Sequence, residues 1–226
     1  MGKFMQKLAN FQDKRSISYL LRIKRVRLLN KYIQNCFGDE QRIEILDLGG
    51  TQKFWKIFQT PITLRANITL VNLTLENTTE SNFRSLVGDA RCLPQFADKQ
   101  FDIVFSNSVI EHVGNFEEQN RMANEIKRIG KYYFIQTPNR NFPIEPHFLL
   151  PFFQFLPIRL QIFLVIHWSI GQYPKATTEK NALKIINSVN LLCVYQIKML
   201  FNESCFYYER ILGLTKSIIV FKCLGN

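Results

Sequence analysis

The chain's 226 residues, 46% hydrophobic and 13% aromatic, suffice for one substantial buried core and fall short of two ordinary enzyme domains. Twenty-nine Lys and Arg against 18 Asp and Glu leave a formal charge of +11, which raises the question of a nucleic acid or an anionic membrane as partner. Residues 1–37 hold nine of the basic residues against Asp13 alone, so +8 of that charge sits in an N-terminal arm and a protein basic all over is excluded.

Apolar residues recur at helical spacing from Ile17 to Phe37 (Ile17, Leu21, Leu28, Leu29, Tyr32, Ile33, Cys36), with Arg22, Arg25 and Lys31 largely off that stripe. The pattern predicts an amphipathic helix with a solvated basic face. Ile43–Leu48 reads as a buried strand, broken by Gly49-Gly50 before a helix over Gln52 to Gln59. Further strands are expected over Asn67–Leu73, Phe83–Val87 and Phe101–Asn107. A polar, amphipathic helix over Glu117 to Ile129 ends at Gly130, and a fifth strand, Lys131–Thr137, is closed by Pro138. Strands alternating with helices imply a parallel sheet covered on both faces.

Residues 139–175 interrupt this rhythm with an apolar segment, HFLLPFFQFLPIRLQIFLVIHWSIG from His147, which reads as an insertion. Pro151, Pro157 and Arg159 leave runs too short to span a membrane. Helices over Thr178 to Ser188 and Val194 to Phe201 follow, then strands at about Cys205 to Ile211 and Lys216 to Cys223, joined by four residues as in an antiparallel hairpin. The expected organisation is a basic helical arm over 1–37 and one domain over 38–226 carrying the insertion.

The five cysteines are odd in number, widely separated and without a C-x-x-C pair. Neither a disulfide framework nor a zinc ribbon is expected from them, no metal site is expected elsewhere, and the implied compartment is reducing and cytoplasmic. No secretory signal is read, which sets aside the sequons from Asn67 onward, and Gln6 stands where a myristoylation signal wants Ser or Thr.

Ligands of open α/β sheets bind at the carboxyl ends of the strands. There the chain places Asp47-Leu48-Gly49-Gly50, Asn72, Gly88-Asp89-Ala90 and Ser106-Asn107, short polar groups with two carboxylates and neither Lys nor Arg among them. A pyrophosphate is disfavoured, because the G-x-G-x-x-G pattern is incomplete and Asp47 would face the anion; G-K-[ST] is absent. A cationic ligand with a ribose and an adenine fits better.

These motifs resemble the class I S-adenosylmethionine-dependent methyltransferases, from about Ile43 to Pro157 and again at the C-terminus. ILDLGG is similar to that family's first motif, ITLVNLTLEN to its second strand, and GDARCLPQFADKQFDIVFSNSVIEHV to its adenine loop, fourth strand and following segment. The resemblance implies a Rossmann-like α/β fold: a seven-stranded, mostly parallel sheet with an antiparallel last strand and helices on both faces. It implies that Asp47, Gly49 and Gly50 border the methionine part of S-adenosylmethionine, Asn72 the ribose, Asp89 and Ala90 the adenine, and Asn107 the cofactor beside the substrate mouth. Thr51-Gln52 stand where the family continues with glycine, and Asn72 where it places an acidic residue, which gives up a charge-assisted hydrogen bond.

A hydroxyl or amine acceptor also wants a base, for which His112 and His147 are the candidates; His167 lies within an apolar run. Glu111, Asn139 and Arg140 are candidate substrate contacts. The expected activity is methylation of a small molecule or a glycan- or lipid-linked precursor rather than of nucleic acid. The insertion and the basic helix together suggest peripheral membrane contact. The alternative is a methyltransferase-fold binding or scaffold protein without activity.

Overall fold

In the computed structural model, which describes residues 16–38 and 42–224, a central strand β1 (Ile43–Leu48) pairs in parallel with β2 (Ala66–Asn72) on one side and β4 (Phe101–Asn107) on the other. Strand β3 (Phe83–Val87) extends the sheet beyond β2, and β5 (Gly130–Pro138) lies parallel beside β4. A hairpin of β6 (Ser204–Ile211) and β7 (Leu214–Lys222) closes the other edge, with β7 antiparallel to β5. The order is β3-β2-β1-β4-β5-β7-β6, the Rossmann-like sheet expected.

The alternation of side chains along each strand divides the core between two faces. Leu46, Leu48, Val104, Ile135 and Val220 face α4 (Phe116–Ile129) and α7 (Val194–Leu200). Ile45, Ile68, Phe105, Phe134 and Ile219 face α1 (Ile17–Phe37) and α2 (Gln52–Ile57). A short α3 (Pro61–Arg65) leads into β2. Helix α1 starts at Ser16, whose hydroxyl accepts from the Tyr19 N–H, and it buries Leu29, Tyr32 and Ile33 against the sheet. Each such side chain contributes roughly 1.5–3 kcal/mol of burial, so α1 is an integral layer of the core.

Three expectations fail here. Arg25 is not on a solvated face but buried. Residues 21, 25 and 29 share one helical stripe, so Leu21 and Leu29 carry Arg25 inward with them. The structure also joins Cys205 to Cys223 by a disulfide, with a Cα–Cα distance of 5.2 Å. The turn between β6 and β7 is only Leu212-Gly213, both at positive φ, rather than four residues; this tight reversal pairs Cys205 with Phe221 and brings Cys223 alongside.

The insertion has its own small core, in which Phe148 and Phe153 stack and Val165 of α5 (Ile158–His167) meets Ala182 and Ile186 of α6 (Glu179–Asn187). Its outer surface leaves Phe152, Phe155, Ile158, Leu160, Phe163 and Trp168 exposed. Among the described residues no helix is long and apolar enough to cross a membrane.

Candidate active site

Asp47, next to last in β1, is fully buried. Its Oδ2 accepts from Trp55 Nε1 at 2.7 Å, while Oδ1 is buried without a hydrogen-bond partner. Burial pushes this carboxyl up to about 7, and the indole hydrogen bond opposes the rise only in part. The glycine turn sits directly on it: a Cβ at Gly50 would stand 1.6 Å from Oδ2, and Gly49 has φ +75° and would clash with Val109. Asn72 donates from Nδ2 to the Gly50 carbonyl at 2.9 Å and so braces the turn, a bond that an acidic residue could not donate. Thr51 caps α2, and buried Gln52 accepts from the Thr79 N–H, which accounts locally for the two residues that replace a further glycine.

Asp47, Gly49, Gly50, Thr51 and Asn107 line a 170 Å³ cavity together with Arg22 and Lys53. The strand ends themselves carry no Lys or Arg, but two helices bring these two cations to the cavity. Arg22 arrives from α1, 25 residues before Asp47, where strand-end reading does not look. Burial, with the charge of Arg25, lowers the Arg22 guanidinium to about 10.

Behind this cavity Arg25 donates from Nη1 to Asn107 Oδ1 and to Gln136 Oε1, and from Nε and Nη2 to the two Glu209 oxygens at 3.1 and 2.7 Å. Asn107 is thus fixed by α1. Lys216 stands close by, lowered to about 8 by burial and by Arg25.

Asp89 follows β3, and the Gly88 N–H donates to the Asn72 carbonyl, which sets the expected adenine loop beside the expected ribose contact. Both Asp89 oxygens accept from Arg91, whose hydrogen bonds hold this carboxyl below its ordinary range; Arg91 also reaches Glu118 at 2.9 Å. Ala90 packs on the core edge.

Glu111, His112 and His147 come together although they leave two different strands. Glu111 and His112 lie on the 3-10 turn Ile110–His112 after β4, and His147 lies in the segment after β5. The imidazole rings meet edge to face with centroids 4.8 Å apart. His112 Nδ1 is 3.0 Å from the Ser188 carbonyl oxygen, and His147 Nδ1 is 2.8 Å from buried Glu145 Oε1. Burial disfavours charge on His147, but the Glu145 hydrogen bond and charge, with Glu111, outweigh it and raise its pKa. Glu111 is fully buried, and that burial raises its own carboxyl; Oε2 accepts from Thr137 at 3.0 Å.

Asn139, Arg140 and His167 lie outside these two groupings. Asn139 donates to the Thr215 carbonyl and accepts from the Asn141 N–H, tying the chain after β5 to β7. Arg140 lines a second cavity of 390 Å³, with Gln119, Glu145, Phe153 and Ile158, between α4 and the insertion. His167 is exposed and its ring lies tilted against Phe163, with centroids 4.2 Å apart. Arg22, Arg25, Lys53, Gln136, Glu145 and Glu209 are site-side residues that the sequence reading missed. For Arg25 the signal was its place on the stripe between Leu21 and Leu29; for Glu145 it was the i, i+2 spacing to His147.

Comparison with known proteins bears on the fold and on part of the chain. A model described as "Methyltransferase domain" matches residues 47–132. Uncharacterized protein Rv1509 of Mycobacterium tuberculosis is 40% identical over 57 residues, 25% of this chain and 20% of that protein, so the match spans about a fifth of that relative's length. A SAM-dependent methyltransferase from Methanosarcina mazei has a similar fold, with a TM-score of 0.50, 14% identity and coverage of 86% of this chain and 98% of that one. Magnesium protoporphyrin IX methyltransferase from Synechocystis with bound SAH is similar at a TM-score of 0.50 and 10% identity, over 88% and 81% of the two chains. The methyltransferase-domain match over residues 47–132 thus falls on a chain whose fold is similar to those of solved methyltransferases.

Proposed function

We propose that this protein transfers a methyl group from S-adenosylmethionine to a small-molecule or glycan- or lipid-linked acceptor bearing a hydroxyl or amine. The observation that carries the cofactor's placement is the Asp47 carboxylate, buried beneath the Gly49-Gly50 turn with one oxygen unpartnered. A buried acceptor oxygen left unmatched costs about 1–3 kcal/mol, and an ammonium group offers the missing donor and charge.

Asp47 and the turn would hold the amino end of the methionine part, and Arg22 and Lys53, in the same cavity, its carboxylate. Asn72 Oδ1 would take a ribose hydroxyl while Nδ2 keeps the turn in place. Ala90 and Asp89 would border the adenine, with Arg91 yielding part of its hold on the carboxylate. The sulfonium supplies an already activated methyl group. What remains for the chain is orientation, which can contribute roughly 7–11 kcal/mol, and removal of the acceptor's proton.

His112 and His147 suit that proton transfer. Donation of Nδ1–H to the Ser188 carbonyl and to Glu145 leaves Nε2 of each ring as the basic atom. Glu145 also lines the 390 Å³ cavity, which supports that cavity as the acceptor's place and Arg140 as a contact there. The exposed aromatic and aliphatic face of the insertion supports an acceptor met at a lipid surface.

A specific observation favours a second reading, a fold retained for binding without turnover: Arg91 occupies both Asp89 oxygens. Incubation of the protein with cell extract and deuterium-labelled methyl donor, read by mass spectrometry, separates the two. Transfer of label to an acceptor supports the enzyme; cofactor binding without any labelled product supports the second reading.

A further inference from the structure

Glu111, His112 and His147 each offer one ligand atom, and these atoms lie within 4.8 Å of one another. What distinguishes the cluster from a chance meeting is how its other polar atoms are used. His112 spends Nδ1 on the Ser188 carbonyl and His147 spends Nδ1 on the Glu145 carboxylate, so both rings are held in the tautomer whose Nε2 lone pair is free. Glu111 spends Oε2 on the Thr137 hydroxyl and keeps Oε1, fully buried and without any hydrogen-bond partner. Three donor atoms thus remain, each oriented through a hydrogen bond made by its partner atom. A carboxylate behind a ligating imidazole is the usual outer support of a metal-bound histidine.

We propose that Glu111, His112 and His147 form a binding site for a divalent transition-metal ion. Two imidazole nitrogens and one carboxylate oxygen suit Zn²⁺, Co²⁺, Fe²⁺ or Mn²⁺. Three protein ligands leave positions open to water or to an oxygen of the acceptor, and His112 is exposed, so the site has access to solvent. Ligands about 2.1 Å from an ion stand roughly 3.4 Å apart in tetrahedral geometry; binding therefore draws the three groups inward, and the exposed His112 ring is the one freest to move. With an ion present the two imidazoles serve as ligands, and deprotonation of a bound hydroxyl passes to the ion. The binding itself does not depend on methyl transfer.

The test uses the full chain stripped with a chelator, titrated with Zn²⁺ in a calorimeter and with Co²⁺ by visible absorption. One equivalent should bind, with Co²⁺ showing the d–d bands of an N/O site and no thiolate charge-transfer band. Glu111→Gln, which preserves the Thr137 contact, and His112→Ala, at an exposed ring, should each weaken binding at least tenfold without lowering the melting temperature of the metal-free protein. Glu145→Gln should weaken it about 10–100-fold. Absence of binding at about 0.1 mM metal, or stoichiometric binding that survives both Glu111→Gln and His112→Ala, overturns the proposal. Should Glu111→Gln fail to fold, His112→Ala decides alone.

Discussion

Arg25 and Glu209 are 184 residues apart in sequence and joined by two parallel hydrogen bonds of 3.1 and 2.7 Å, with their side chains only 6% and 3% exposed. The pair fastens α1 to the outermost strand, β6, and the remaining Arg25 nitrogen holds Asn107 at the end of β4. An N-terminal helix thereby orders a strand-end residue of the site.

Removal of one member leaves the other charged and buried. Glu209→Ala should cost about 3–5 kcal/mol in urea unfolding, whereas Arg25→Met with Glu209→Leu should recover most of that loss, since a packed apolar pair avoids the desolvation of both ions. The double variant should nevertheless bind cofactor less well, because Asn107 loses its anchor. Equal stability of single and double variants would show that the pair is not what couples α1 to β6.

Asp47 titrates near 7 in the folded protein against an ordinary 3.8. A cationic group beside it favours the ionised form, so cofactor affinity should rise with pH by about tenfold per unit below 7 and level off above. Calorimetry across pH 5.5 to 8.5, in buffers of differing ionisation enthalpy, should find a proton released on binding in acid. Trp55→Phe removes the hydrogen bond that favours the carboxylate and should move this profile to higher pH. A flat profile would place the ammonium elsewhere.

Asn72→Asp puts a second acceptor against the Gly50 carbonyl in place of a donor. The turn should loosen, with a stability loss of about 1–2 kcal/mol and weaker cofactor binding, despite the closer match to the family's acidic residue. Tighter binding in this variant would mean that the ribose contact outweighs the brace.

The exposed face of the insertion should bind vesicles, and Phe163→Asp with Trp168→Asp should abolish that binding without touching the small core of Phe148, Phe153 and Val165. Flotation with anionic and neutral vesicles reads it. Unchanged flotation of the variant would assign the face to something other than lipid.

The sheet was legible because its strands are buried runs punctuated by Gly, Asp and Pro, and β3 and β4 fall on the residues that the pattern indicates. Asp47 and the glycine turn were legible for the same reason: local chemistry at a strand end. What escaped depended on distance in sequence. Nothing near Arg25 signals Glu209, nothing near Cys205 signals a two-residue turn, and the meeting of His147 with Glu111 arises from the path of the insertion. Arg22 and Lys53 escaped because a cavity wall draws on helices as well as strand ends.

Asp47→Asn puts the central claim to the sharpest test, because the account requires two opposite effects of one substitution. The raised carboxyl binds its proton more tightly in the folded than in the unfolded chain, so Asp47 lowers stability as pH rises from about 4 to about 7. Above pH 7 the neutral amide should therefore raise folding stability by about 2–4 kcal/mol. Calorimetric titration of the same variant with S-adenosylmethionine at pH 8 should show affinity lowered at least tenfold. A variant that is more stable and weaker in binding is the predicted result; one that binds S-adenosylmethionine as tightly as the parent would contradict the assignment of Asp47 to the cofactor.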